Sequence, residues 1–242
     1  KIIELIIKLG NVSSNDLVME VGPGTGASLA RRFSKGGFKV AMFARNKSRL
    51  ENLEKELPHS KGYSCELRDP DQLNETVDKA LKEFGYPDVF IHNAVRGTRG
   101  NFLEFSPEEL QSNFDTNVIS LLRIVQKISP NMIDNGNGAI IVTGNTSAHR
   151  GKANFGGTAS TKAAQKILTE SIARYLNPKG IHVAYITIDA AIDLEWTRKA
   201  WPEKPDDFFI KPDDIADEVW HIVHQSKSAW TFDHWLRPFG EN

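Results

Sequence analysis

Between Val18 and Ala30 the chain reads VMEVGPGTGASLA, an apolar run that ends in Gly22, Pro23, Gly24, Thr25 and Gly26 and passes straight into the amphipathic ASLARRF. A strand, a tight glycine turn and a helix start, in that order, suit the binding of a phosphate. Gly22 permits a turn that a side chain would block. Gly24 and Gly26 let the backbone approach a ligand, and the helix start presents N–H groups that have no partner within the helix.

The rest of the chain must hold this loop in place. With 242 residues, 40% hydrophobic and 25% charged, it suits one α/β domain with a substantial core. A net charge of −1 without a Lys/Arg-rich block argues against a nucleic-acid surface and for small-molecule partners. The single cysteine, Cys65, rules out an internal disulfide, and a reducing, cytoplasmic setting is expected. The opening KIIELIIKLG is interrupted by Glu4 and is too short to span a bilayer, so residues 1–15 are expected to form a docking or interface extension, with no membrane involvement.

From the loop onward, strand and helix patterns alternate. Residues 38–44, 62–67, 89–92, 139–144 and 182–188 read as strands. Helical spacing recurs at Leu50, Leu53 and Leu57, from Leu73 to Phe84, from Val118 to Ile128, and from about Gly157 to Asn177. A further helix begins at Pro212, and SAWTFDHWLRPFG supplies a last strand. The expected fold is a single-domain Rossmann type, a doubly wound parallel sheet of about seven strands with helices on both faces. The glycine loop then lies at the carboxyl end of the first strand, where such sheets bind ligands.

With these elements in order, the chain resembles the short-chain dehydrogenase/reductase superfamily from about Asp16 to Pro238. The family's TGxxxGxG appears as VGPGTGAS, with Ser28 in place of the last glycine. Its NNAG appears as His92-Asn93-Ala94-Val95, its supporting helix asparagine as Asn117 in DTNVIS, and its YxxxK as Thr158 and Lys162 in TASTK. The resemblance implies a cofactor site at Gly22, Gly24, Thr25, Gly26, Ser28, Asn93, Ala94 and Lys162, and a catalytic centre at Asn117, Asn145, Thr158 and Lys162. The family's catalytic tyrosine is replaced by Thr158, whose hydroxyl is too weak an acid to be tuned as a phenol is. The family's serine position, thirteen residues earlier, holds Asn145.

The end of the second strand bears on the cofactor. A free ribose diol calls for an acidic residue there and a 2′-phosphate for positive charge. Here Ala44 is followed by Arg45 and Asn46, which favours NADP, with NAD possible. The same absence weakens a second resemblance, that of Glu20 and VGPGTG to the S-adenosylmethionine loop of methyltransferases, and leaves it a minor alternative.

The expected reaction is hydride transfer to or from a small carbonyl or alcohol. For the proton, His149 has the most suitable pKa, Ser147, Ser160 and Thr161 are weak acids, and water relayed through Asn145 and Lys162 is a further route. The competing expectation is a catalytically impaired cofactor-binding sensor or structural subunit. Residues 189–211, with Trp196, Trp201, Phe208 and Phe209, correspond to the family's substrate lid. The resemblance also implies a homodimer or homotetramer, and His221 and His224 lack the third ligand a metal site needs.

Overall fold

The computed structural model describes residues 17–21 and 25–240. The expectations for residues 1–15, Gly22 and Gly24 lie outside the described residues. Seven parallel strands form the main sheet: β1 (Leu17–Val21), β2 (Lys39–Ala44), β3 (Ser60–Ser64), β4 (Val89–His92), β5 (Gly138–Asn145), β6 (Ile181–Ile188) and β9 (Asp233–Leu236), in spatial order β3-β2-β1-β4-β5-β6-β9. The strand order reverses between β1 and β4, so the loops leaving their carboxyl ends diverge and leave a crevice there.

Alternation along each strand feeds two cores. Met19, Phe43, Phe90, Val142 and Tyr185 pack on one side with residues of α3 (Pro70–Phe84), α5 (Ser120–Asn135) and α6 (Gly156–Leu176). Val40, Met42, Val89, Ile91, Ile141 and Ile186 pack on the other with α1 (Gly26–Lys35) and α8 (Pro212–Val223), through Leu29, Phe33, Ile215, Val219 and Ile222. Arg32 lies 4.0 Å above the Trp220 ring and reinforces the α1–α8 contact.

Local signals set the helix starts. Asn46 accepts from the Arg49 backbone N–H at the head of α2 (Lys47–Glu56), and Asp69 accepts from the Asp71 and Gln72 N–H groups at the head of α3, with Pro70 in its first turn. The third strand lies earlier than its apolar pattern suggests, over Ser60–Ser64, because Glu66 to Asp69 form a turn closed by Asp69 N–H to Glu66 C=O at 3.1 Å. Leu57 caps α2 and is not within it.

The sequence reading missed α4 (Pro107–Phe114), whose start carries a complete capping box from Ser106 and Glu109. Between α4 and α5 the backbone widens into a π-helical turn, Asp115–Ile119, centred on Asn117. In the expected lid, β7 (Ala191–Ile192) and β8 (Phe209–Ile210) pair in parallel around α7 (Glu195–Ala200). Arg198 ties this segment together through Asp193 and Asp206, each at 2.7 Å. Among the described residues, no helix is long and apolar enough to cross a membrane.

Candidate active site

A cavity of about 840 Å³ opens at the carboxyl ends of β1, β2 and β4, lined by Gly26 and Ala27 of α1, Ala44 to Asn46 after β2, and Ala94 to Gly97 after β4. Arg45, Arg49 and Arg68 face it together with one carboxylate, Glu66. That carboxylate is already engaged: Arg68 holds both its oxygens, at 3.1 and 2.9 Å, and this bond keeps Glu66 below the usual carboxylate range. Arg45 approaches it only to 4.0 Å and is largely exposed, and Arg49 has no ion pair among the described residues. The cavity therefore has an excess of guanidinium at the end of β2 and suits a phosphate there.

The start of α1 is braced from below. Thr25 Oγ1 donates to Asn93 Oδ1 at 2.9 Å, and Thr143 Oγ1 donates to the same oxygen at 2.8 Å, so one side-chain amide joins the first helix start to β4 and β5. Ser28, expected at the phosphate, is buried and is not among the residues lining the cavity.

Asn117 is fully buried. It accepts from the Arg96 N–H at 2.9 Å and donates to Arg96 C=O at 2.7 Å and Thr161 Oγ1 at 2.9 Å. These bonds fix the loop after β4, and with it the cavity floor. Thr158 has a comparable role. Its hydroxyl donates to Thr98 C=O and accepts from Thr98 N–H, both at 3.0 Å, so its proton is already committed within the fold.

Lys162 departs most from expectation. Instead of facing a ribose it is buried, with its Nζ donating to Thr143 C=O at 3.0 Å and to Gln165 Oε1. Two acceptors inside the fold draw the amine inward, and neither cavity is lined by it. Burial lowers its pKa to about 7. Gln165 completes a polar chain that sequence reasoning missed. Its Nε2 donates to Asn117 C=O at 2.7 Å and lies 3.3 Å from His92 Nδ1, while His92 Nε2 lies 3.0 Å from Ser120 Oγ. Burial first, and then the Lys162 charge, push His92 down to about 3, so this imidazole stays neutral. The available signal was the position of Gln165, three residues after Lys162 and so on the same face of α6.

A second cavity of about 460 Å³ lies at the carboxyl ends of β5 and β6. Asn145, Thr146 and Ser147 line it from β5, Ile188 to Ala191 from β6, and Trp201 and Phe208 from the segment of β7 and β8. Asn145 Oδ1 accepts from the Ser147 N–H at 3.0 Å, and this fixes the amide at the cavity edge. His149 is not there. Its Nε2 lies 2.9 Å from Thr187 Oγ1 and its ring 4.5 Å from that of Trp235, contacts that turn it toward β9 and away from the expected proton-donor position. The loop after β4 borders both cavities, through Val95 to Gly97 on one and Arg99 on the other.

The chain matches the family described as short chain dehydrogenase over residues 17–199. It is 24% identical over 227 residues to an uncharacterised oxidoreductase of Staphylococcus aureus, covering 92% of this chain and 96% of that one. It is 28% identical over 176 residues to the L-xylulose reductase of Mus musculus, covering 72% of this chain and 70% of that one. An alcohol dehydrogenase from the archaeon Thermococcus sibiricus, solved with 5-hydroxy-NADP, superposes with a TM-score of 0.81 at 25% identity, over 94% of this chain and 98% of that one.

Proposed function

The chain belongs to the short chain dehydrogenase family of oxidoreductases, and from that premise we propose that it is an NADP(H)-dependent enzyme acting on a small carbonyl or alcohol through an atypical centre without the family's tyrosine. The observation that carries the reading is the guanidinium excess at the end of β2, where Arg45 and Arg49 face the cavity and no carboxylate follows the strand. The complex of the Thermococcus sibiricus enzyme supports the cofactor, and the reductase activity named for the mouse relative supports a small carbonyl. Family membership sets the methyltransferase alternative aside.

Arg45 and Arg49 would hold the 2′-phosphate, Gly26 and Ala27 the pyrophosphate side, and Ala94 the inner wall of the cavity. The chemistry available at such a site, with NADPH bound, would be hydride transfer to the carbonyl carbon. The oxygen of the carbonyl takes its proton from water, which leaves as hydroxide, because Thr158 is committed to Thr98 and His149 to Thr187. Asn145 orients the oxygen and that water from the edge of the second cavity. Lys162 acts on Asn145 at one remove, by fixing the Thr143 carbonyl two residues before it. Asn117 and Asn93 hold the loops that bring the two cavities together.

Fluorescence titration with NADPH and NADH, followed by an oxidation assay over aldehydes, ketones and quinones, tests this. Tighter NADPH binding with slow turnover is expected, and absence of NADPH binding would refute it. The engaged Thr158 and inward Lys162 favour a second reading, a cofactor-binding sensor or structural subunit, for which binding without turnover is the expected outcome. We also propose a homodimer or homotetramer, supported by the exposed Ile167 and Tyr175 of α6 and by Trp235 and Phe239 at the C-terminal end.

A further inference from the structure

Three cations converge on the 460 Å³ cavity from two different loops: Arg99 after β4, and Arg150 and Lys152 after β5. None has a carboxylate partner among the described residues. The only carboxylate lining the cavity there is Asp189, and it is engaged by Arg237. Asp206, two residues before Phe208 of the cavity wall, is paired with Arg198. The mouth of the cavity thus presents three exposed cations without a carboxylate partner, a local positive field that attracts an anionic ligand.

The loops that carry these cations are fixed. Gly100 and Phe155 form a parallel bridge, Gly100 N–H donates to Asn154 C=O at 3.0 Å, and Phe155 N–H donates to Lys152 C=O at 3.0 Å. Gly100 has φ +124°, a conformation that favours glycine, and it sets the direction in which Arg99 leaves the loop. The Arg99 guanidinium carbon lies 5.9 Å from the Phe155 ring, at the cavity wall. Phe155, Ile188, Trp201 and Phe208 supply an apolar side to the same space.

We propose that this cavity selects substrates bearing a carboxylate or phosphate, bound by Arg99, Arg150 and Lys152, with a short apolar skeleton between that anion and the reacting carbon near Asn145. The proposal rests on reading the second cavity as the substrate side of the oxidoreductase. Arginine holds either oxyanion through paired N–H groups, and a lysine adds a mobile third donor. Removing the anion from a substrate leaves these cations unanswered, and the expected discrimination is about tenfold or more.

The experiment is calorimetric titration of the full chain, with and without saturating NADP, using two matched pairs. These are acetoacetate against ethyl acetoacetate, and dihydroxyacetone phosphate against dihydroxyacetone. In one pair or both, the charged member is expected to bind at least about tenfold more tightly than the neutral one, and the pair that responds tells carboxylate from phosphate. The preference should fall with added salt and vanish in Arg150→Gln/Lys152→Gln, while NADPH affinity stays unchanged. Equal binding within both pairs, a preference that survives the double substitution, or no binding of any probe would overturn the proposal. Discrimination that persists in a protein unable to bind NADP would instead overturn the oxidoreductase reading and leave the anion site standing.

Discussion

Lys162 sits where the fold cannot hydrate it, and the consequence is a pH dependence of stability. Its folded pKa of about 7 lies below the ordinary lysine value, so between the two the unfolded chain binds the additional proton. Stability therefore rises with pH in that interval, and the cost of burying the cation is fully present below about pH 7. Other groups bound the usable window. The lowered pKa of His92, from burial, confines its contribution to more acidic conditions, and the raised thiol of Cys65, also from burial, lowers stability only toward pH 9 and beyond. Urea unfolding between pH 7 and about 8.5 should thus show stability climbing by at most ~1.4 kcal/mol per pH unit, a slope absent in Lys162→Met. A flat wild-type profile would mean that the amine is hydrated in solution. Arg45 permits a separate test at the same scale. Arg45→Ala/Arg49→Ala should weaken NADPH by about tenfold or more and leave NADH nearly unchanged, read by fluorescence titration. Equal losses for both cofactors would argue against a 2′-phosphate at the end of β2.

The pairing of β5 with β6 places Gly144 beside Thr187 and under the ring of Tyr185, where a Cβ would lie 2.0 Å from the Tyr185 hydroxyl oxygen. Tyr185 is fully buried and cannot move aside without disturbing the core between β6 and α6. Gly144→Ala should therefore cost about 1–3 kcal/mol or more, whereas Gly151→Ala, with open space around it, should lower the melting temperature little. Equal melting temperatures for the two variants would refute this contact. The alternation of apolar runs with amphipathic stretches made most of these elements legible, since a parallel strand such as Ile181–Ile188 is buried along its whole length and is mostly apolar. The segment that became α4 was not legible from apolar spacing, because it is a short polar helix that depends on its capping box. At the site, the position of Asn145 at the edge of the second cavity follows from its place at the end of β5. The inward turn of Lys162 did not, because it depends on a carbonyl of β5 and an amide of α6 that only the folded chain brings together.

At the scale of the molecule, several large apolar side chains are exposed. Ile167 and Tyr175 project from α6, Phe102 and Leu103 from the loop before α4, and Trp235 and Phe239 from the end of the chain that contains β9. Phe239 and Leu103 are 88% and 82% exposed, values that a lone protomer would pay for in solubility and that burial against a second copy would reverse. The α6 surface belongs to the helix that carries Thr158 and Lys162 on its inner side, so contact there would stiffen the helix that holds Asn117 and Thr98 in place. Light scattering coupled to size-exclusion chromatography should therefore give a mass of two or four chains. Ile167→Glu should shift it toward the single chain and loosen NADPH binding together with assembly, because the helix loses its outer support. Phe239→Glu, at a surface remote in sequence from that helix, should reduce assembly only where the C-terminal end makes a second contact, turning a tetramer into a dimer with NADPH affinity retained. A monodisperse single chain for the unsubstituted protein, at concentrations well above those used for titration, would exclude the assembly and leave the apolar surfaces without this explanation.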